Sequence, residues 1–264
     1  MTKIYNRSGN VLYECESDKL EECVVEALNS DTDLSYANLR GADLRGVNLS
    51  GAVLIGVDLS YAELSGVNLR GVNLRGADLS YAQLRGVNLI DSDLSGAYLG
   101  YSDLATANIY NANLNEANLI YANLRGVNLR GANLNGSDIV NAELYGAKLS
   151  GAKNIPYIPL NCPSDGEFTA WKKVGDMLVR LLIPADARRS SSTSLKCRCD
   201  KAMVVRITDL DETEEYENAV NMTPIPLTYR VGEMAYPDSY DEDRWNECSH
   251  GIHFFINKKD AINY

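Results

Sequence analysis

The sequence predicts a mainly β chain in two parts, a long repetitive coil followed by a small α+β domain. Three observations predict it. Twenty-four consecutive five-residue units fill residues 32–151, each with Leu or Ile at its centre. A period of five fits neither a helix nor a flat strand, whose side chains repeat near 3.6 and 2.0 residues, so the chain must turn a corner every five residues. Beyond the repeats the composition changes, for all seven prolines, both tryptophans and all three phenylalanines lie there.

Residues 1–31 read as a cap. Residues 4–7 and 11–14 suit a hairpin around Ser8-Gly9-Asn10. A short helix should follow, opened by Asp18 with Glu21 three residues on, which is a capping-box spacing. Leu20, Cys23, Val24, Ala27 and Leu28 then share one helical face. The end of a coil exposes unpaired backbone edges, and covering one is the expected task of this segment.

The repeats occupy residues 32–153. Their series of centres runs from Leu34 to Leu149, varied only by Ile109 and Ile139. Two residues before each centre stands Ala, Val, Ser or, at the start, Thr32; Asn or Asp usually precedes the centre, and Gly recurs two residues after it. One unit cannot bury its Leu alone, whereas stacked coils form a continuous interior column. The small residue is needed because two large side chains per corner would overpack a narrow tube. Gly suits corners with unusual backbone angles. Proline is expected to be missing where every coil lends N–H groups to a ladder.

The pattern A-[DN]-L-x-G, as in Ala42-Asp43-Leu44-Arg45-Gly46 and Ala132-Asn133-Leu134-Asn135-Gly136, resembles the pentapeptide-repeat family. The resemblance implies a right-handed quadrilateral parallel β-helix with four units per coil. About six coils at ~4.8 Å each would make a rod roughly 29 Å long. It also implies that residues twenty apart stack. Tyr61, Tyr81, Tyr101 and Tyr121 occupy one such slot, and Arg45, Arg85 and Arg125 recur in alternate coils of another.

Residues 154–166, with Pro156, Pro159 and Pro163, read as a linker to an α+β domain over 167–264. Residues 177–183, 202–207 and 252–256 read as buried strands, and 257–262 as a closing helical turn. Phe168-Thr169-Ala170-Trp171-Lys172-Lys173, Lys196-Cys197-Arg198-Cys199 and Gly251-Ile252-His253-Phe254-Phe255 resemble a domain of unknown function found after pentapeptide repeats in bacterial and phage proteins. That resemblance implies a phage or prophage setting and no activity.

Composition sets outer bounds. No apolar segment follows Met1-Thr2-Lys3 and no run is long enough to span a bilayer, so a soluble cytoplasmic protein is expected, with no membrane partner. Six cysteines in 264 residues do not suggest a disulfide scaffold, and reduced thiols are expected. A net charge of −11 argues against general nucleic-acid binding.

Five constellations are candidates for function. The first is a partner-binding stripe of Tyr61, Tyr81, Tyr98, Tyr101 and Tyr121 with Asp58 and Asp78, grading past Asp138 to apolar Ile120 and Val140. Rigid aromatic rings suit protein interfaces. The alternatives are a ladder that only stabilises the rod, or one covered by the C-terminal domain. The second is DNA mimicry, since some pentapeptide-repeat proteins inhibit topoisomerases by imitating duplex DNA. A duplex of the rod's length carries about seventeen charges, whereas residues 32–152 hold eleven acidic and eight basic side chains. Global mimicry is therefore disfavoured, which leaves a partial mimic, a local acidic strip directed at a DNA-binding protein such as a topoisomerase, as an alternative.

The third is a zinc site from Cys197, Cys199, Cys248, His250 and His253, which has suitable ligand types at poor spacing; buried thiols are the plainer account. In the fourth, residues 248–255 with Ala261-Ile262-Asn263-Tyr264 are similar to a segment of ADP-ribosyltransferases, and Ser192-Thr193-Ser194 and Glu212-x-Glu214 match short patterns of that superfamily. The intervals are too short for the usual sheet, and one branch's histidine motif is missing. The fifth is an anion cradle at 188–194, which lacks the glycine spacing of a nucleotide loop. The sequence thus reads as a non-enzymatic scaffold with a protein partner, no cofactor and the option of self-association. A C-terminal enzyme or metal-binding module is the rival.

Overall fold

A computed structural model describes residues 1–158, 160–222, 226–246 and 249–264. The chain divides into two units, Met1–Tyr157 and Ile158–Tyr264. It is mainly β.

The first unit opens with strands β1 (Thr2–Tyr5) and β2 (Val11–Cys15), paired antiparallel with Thr2 opposite Cys15. The Asn6 carboxamide oxygen accepts the N–H groups of Ser8 and Asn10, which closes the turn. Helix α1 (Leu20–Asn29) buries Cys23, Val24 and Ala27, three of the five residues expected on its inner face. Its start differs from expectation. The residue before the helix is Lys19, with no side-chain cap, and Asp18 instead accepts a hydrogen bond from the N-terminal ammonium. Ser17 takes over locally, accepting the Lys19 N–H and donating to Glu22. The expectation of reduced thiols is also corrected, because Cys15 and Cys23 form a disulfide with Cα atoms 5.5 Å apart. Packing α1 on β2 brings the two buried thiols together, a proximity that composition cannot show.

The cap's chain then joins the coil. Asn38 donates to the Tyr5 carbonyl at 2.7 Å and Arg7 to the Tyr36 carbonyl at 3.1 Å, so the first coil's edge is partly paired.

The coil is a stack of parallel bridges between residues twenty apart. They run from Asn38↔Asp58 through Asn133↔Lys153 and form four ladders, one for each unit of a coil. Every corner is built alike. The residue two after each centre has positive φ, from Tyr36 (60°) and Gly41 (65°) through Gly151 (70°). The side-chain oxygen of the Asn or Asp before the centre accepts the N–H of the residue after it, as in Asn38 to Arg40 and Asp78 to Ser80. These Asx turns are the reason for the Asn/Asp slot. Several of the amides also bond along the rod, for example Asn68 Nδ2 to Asn48 Oδ1 at 3.1 Å.

Inside, twenty-two of the twenty-four centres are buried. The exceptions are Ile139 and Leu144, half-buried in the last units, beyond which the ladders stop. Where serine fills the small slot its buried hydroxyl donates to a carbonyl three residues earlier, as Ser92 does to Leu89 and Ser102 to Leu99. A polar side chain is thereby satisfied inside an apolar column.

The second unit holds a four-stranded antiparallel sheet in the order β10-β7-β4-β3. Its strands are β3 (Phe168–Val174), β4 (Met177–Ile183), β7 (Ala202–Asp209) and β10 (Met234–Ala235). A three-stranded sheet, β11-β6-β5, uses β5 (Arg189–Ser191), β6 (Cys197–Cys199) and β11 (Ile252–Phe254). Trp171 and Phe255 exchange two backbone hydrogen bonds of 2.8 Å, tying the chain after β11 to β3. A hairpin of β8 (Asn218–Asn221) and β9 (Leu227–Arg230) and the short helix α2 (Lys258–Asn263) complete the unit. One face of the large sheet packs Ala170, Val179, Leu181, Val204 and Ile207 into a core with Tyr229, Ile252 and Phe254. Among the described residues no helix is long and apolar enough to cross a membrane.

Candidate functional site

Two places in the molecule carry chemistry beyond packing. On the coil, Tyr61, Tyr81, Tyr101 and Tyr121 stack in one continuous pile. Successive ring centroids are 4.9, 5.0 and 5.0 Å apart and the planes lie 4°, 3° and 17° from parallel. All four are exposed. Because the rings stack along the rod, the inner ones bury their faces against one another and offer edges and hydroxyls outward. The Arg40 guanidinium lies over the end of the stack, 4.5 Å from the Tyr61 centroid, held there by its bond to the Ser60 hydroxyl.

These tyrosines stand in the corner slot that Gly usually fills. Their φ values are 62°, 61°, 59° and 58°, in the left-handed region. Such a backbone costs a residue with a side chain about 1–2 kcal/mol. Stacking returns about 0.5–1.5 kcal/mol per pair. With four strained corners and three stacked pairs, the strain exceeds the return over most of these ranges. Stacking by itself therefore gives little reason to prefer tyrosine to glycine at these corners.

The rest of the stripe is placed as follows. Tyr98 is exposed on the adjoining ladder, bridged between Asp78 and Asn118. Asp58 and Asp78 each spend an oxygen on the corner, Asp58 also accepting the Ser60 hydroxyl at 2.6 Å. Val140 is exposed and Ile120 half-buried. Part of the coil's acidity is matched by arginine nearby, with Asp43 paired to Arg45, Asp91 to Arg70 and Glu143 to Arg125. An acidic strip the length of a duplex is not present among the described residues.

The second place is in the C-terminal unit. A cleft of about 680 Å³ is lined by Lys172, Tyr229, Tyr236, Ser249, His250 and His253 among others, a volume typical of small-molecule sites. Four residues of the 248–255 segment, Ser249, His250, Gly251 and His253, reach it. Lys172 was missed as a candidate, although the sequence holds its signal. In β3 the side chains of Phe168, Ala170, Lys172 and Val174 share one face, and Ala170 and Val174 belong to the core. A lysine in a core slot of an alternating strand is unusual. Burial pushes its amine down from the ordinary 10.5 to about 8, with Lys196 acting in the same direction and Cys199 against it.

The described members of the zinc set divide between surroundings. Cys197 and Cys199 are buried in the core with Cys162. His253 pairs across the sheet with Arg198, which puts it on the other face from those two thiols. His250 Nδ1 is 2.9 Å from Asp238 Oδ2. Cys248 lies outside the described residues. Burial raises the Cys199 thiol to about 12, and a hydrogen bond with Cys162 together with burial raises Cys197, so both disfavour the thiolate a metal needs. Among the described residues no group of three metal-ligating side chains converges.

The remaining candidates have structural employment. Glu212 pairs with Lys258 at 2.8 Å and Glu214 accepts the Tyr216 hydroxyl at 3.0 Å. Arg188 pairs with Asp200 and Glu242, and Arg189 donates to the carbonyls of Gly166, Pro184, Ala185 and Ala187. Neither guanidinium is left over for an anion.

Pentapeptide repeats match residues 32–71, 52–89, 88–120 and 112–151. A family of unknown function (DUF5758) matches residues 158–261. Among solved structures the chain is similar to the pentapeptide repeat protein Rfr23 from the cyanobacterium Cyanothece 51142, at 29% identity over 40% of this chain and 90% of that one, with a TM-score of 0.35. It is similar to the plasmid-mediated fluoroquinolone resistance protein QnrB1 at 22% identity, over 44% of this chain and 64% of that one, with a TM-score of 0.39. A pentapeptide repeat protein from Nostoc PCC 7120 is 31% identical over 51% of this chain and 94% of that one, with a TM-score of 0.19. Among curated proteins there is no match.

Proposed function

Since this chain belongs to the pentapeptide-repeat proteins and carries a DUF5758 domain after its repeats, we propose that it is a non-enzymatic interaction protein whose tyrosine stripe docks a protein partner. In this reading the coil is a right-handed rod of about six coils that holds recognition groups at fixed spacing. The observation that carries the proposal is the ladder of four exposed tyrosines at corners where glycine would be less strained. Non-glycine residues take the same left-handed corner on other faces too, at Tyr36, Asp91, Thr106, Asn111 and Glu116, but only here do four in succession carry aromatic rings. The phenol edges repeat every 4.9–5.0 Å, and Tyr98, Ile120 and Val140 extend the patch with apolar area. A bacterial or phage setting accords with the C-terminal resemblance, and a cytoplasmic one with the composition. The Cys15–Cys23 disulfide weighs against the latter.

The test is the double variant Tyr81→Gly with Tyr101→Gly. Lost stacking and relieved strain nearly offset, so stability should stay within roughly 2 kcal/mol of the parent chain. Affinity capture from extracts of the native host should lose the partner that the parent chain retains. Equal recovery of that partner by the variant would remove the stripe from the binding surface.

A further inference from the structure

We propose that the cleft of the C-terminal unit binds a small organic anion carried on a flat ring, with the Lys172 ammonium as its counter-charge. Lys172 projects from the core face of β3 into the cleft. Its ammonium has three N–H donors, of which one goes to the His253 carbonyl at 3.2 Å. Among the described residues its ring contact is with Tyr229, whose centroid is 5.9 Å away, at the outer edge of cation–π range. Among the described residues no carboxylate lies within ion-pair distance of it. The carboxylate that lines the cleft, Asp238, is engaged by His250. A cation thus stands in a partly desolvated cleft with no anion among the described residues to balance it, and an anionic ligand would supply the partner.

The walls define the rest of the ligand. Tyr236, Pro226, Pro237 and Leu227 provide apolar surface in front of the buried Tyr229, and Asn221 and Ser249 provide polar groups. Lysine is a compact point charge, which suits a single carboxylate or phosphate group rather than a forked contact. The volume of about 680 Å³ admits a ring system with one such group. The groups that face Lys172 from its neighbours are Tyr229 on β9, Cys199 on β6 and His253 on β11, with Lys196 before β6 and the His250–Asp238 pair in the lining. Lys173, next along β3, points to the opposite face and donates to the Ile262 carbonyl.

Isothermal titration of the full chain with salicylate and with adenosine monophosphate tests the site, each run near pH 8 in two buffers of different ionisation enthalpy. A bound anion favours the charged amine, so binding must take up a fraction of a proton in this range. At least one probe should bind with proton uptake. Lys172→Met should weaken it by roughly ten-fold or more and abolish the uptake, while Lys172→Arg keeps measurable binding. Failure of both probes to bind, or binding that Lys172→Met leaves unchanged, would overturn the assignment. Binding by the parent chain without proton uptake would do the same, whatever the variants show. The tyrosine stripe lies in the other unit and is untouched by any of these outcomes.

Discussion

Replacing Leu79 by alanine is expected to destabilise the coil by about 3–5 kcal/mol, near the top of the range for a buried leucine. Leu79 is fully buried and stands in register between Leu59 and Leu99 in the interior column. The size of the effect depends on whether the cavity can collapse. Here it cannot, because the backbone is pinned on both sides. Leu59 of the preceding coil donates to the Asp78 carbonyl, and Leu79 donates to the Tyr98 carbonyl of the following coil, each at 2.7 Å. Leu144→Ala is the internal control. Its parent side chain is already half-buried in the last units, so the loss should be well under half as large. Urea unfolding followed by far-ultraviolet circular dichroism measures both. Equal losses at the two positions would mean that the column does not carry the coil's stability.

The second large effect has the opposite sign. Lys172→Met should stabilise the C-terminal unit at neutral pH by about 2 kcal/mol. A drop in the amine's pKa from 10.5 to about 8 corresponds to about 3 kcal/mol, and the lost hydrogen bond to His253 offsets about 1 kcal/mol. The pH dependence follows from which form the fold disfavours. Protonated Lys172 is the disfavoured form, so the penalty is complete below about pH 8. It fades as pH rises towards 10.5, above which the amine is neutral in folded and unfolded chains alike. The advantage of methionine should therefore shrink between pH 7 and pH 10, and thermal unfolding of both proteins across that interval reads it. A constant advantage would mean that methionine acts by packing and not by removing a charge. A residue that lowers stability in its own domain is what a binding site is expected to retain.

How far the sequence was legible depended on whether its signal was local. The coil was legible because five-residue periodicity is repeated in every unit, and one unit determines the next. Pairing at twenty residues followed from it, and the tyrosines stack where that spacing put them. Their strain was not legible, since the glycines of the corner slot suggested a left-handed backbone only where glycine stands. Tyr61 and its three successors adopt the same φ because the ladder on either side fixes the corner whatever the residue. In the C-terminal unit the long strand β4 and the start of β7 were evident from apolar runs, whereas β5, β6, β8, β9 and β10, of two to four residues each, gave no periodic signal. The cleft depends on those short strands and on the chain around Tyr236 and Ser249, so its walls were not readable. Lys172 was readable in principle from its alternation with Phe168, Ala170 and Val174. The segment 168–173 does not declare itself a strand, since it has no continuous apolar run. The Cys15–Cys23 disulfide was hidden for a different reason, since it depends on how the helix packs on the hairpin.

The proposal that the tyrosine stripe is the docking surface is tested most directly by site-specific photo-crosslinking. A benzophenone amino acid would replace Tyr101 in one protein and Asn111, two corners further round the same coil, in another. Both corners have the same left-handed backbone, so the substitutions carry similar strain and differ in the face they label. Crosslinking to a protein partner in host cells is expected from position 101 and not from position 111. Crosslinks from 111 alone, or from neither position while the partner is still captured, would contradict it.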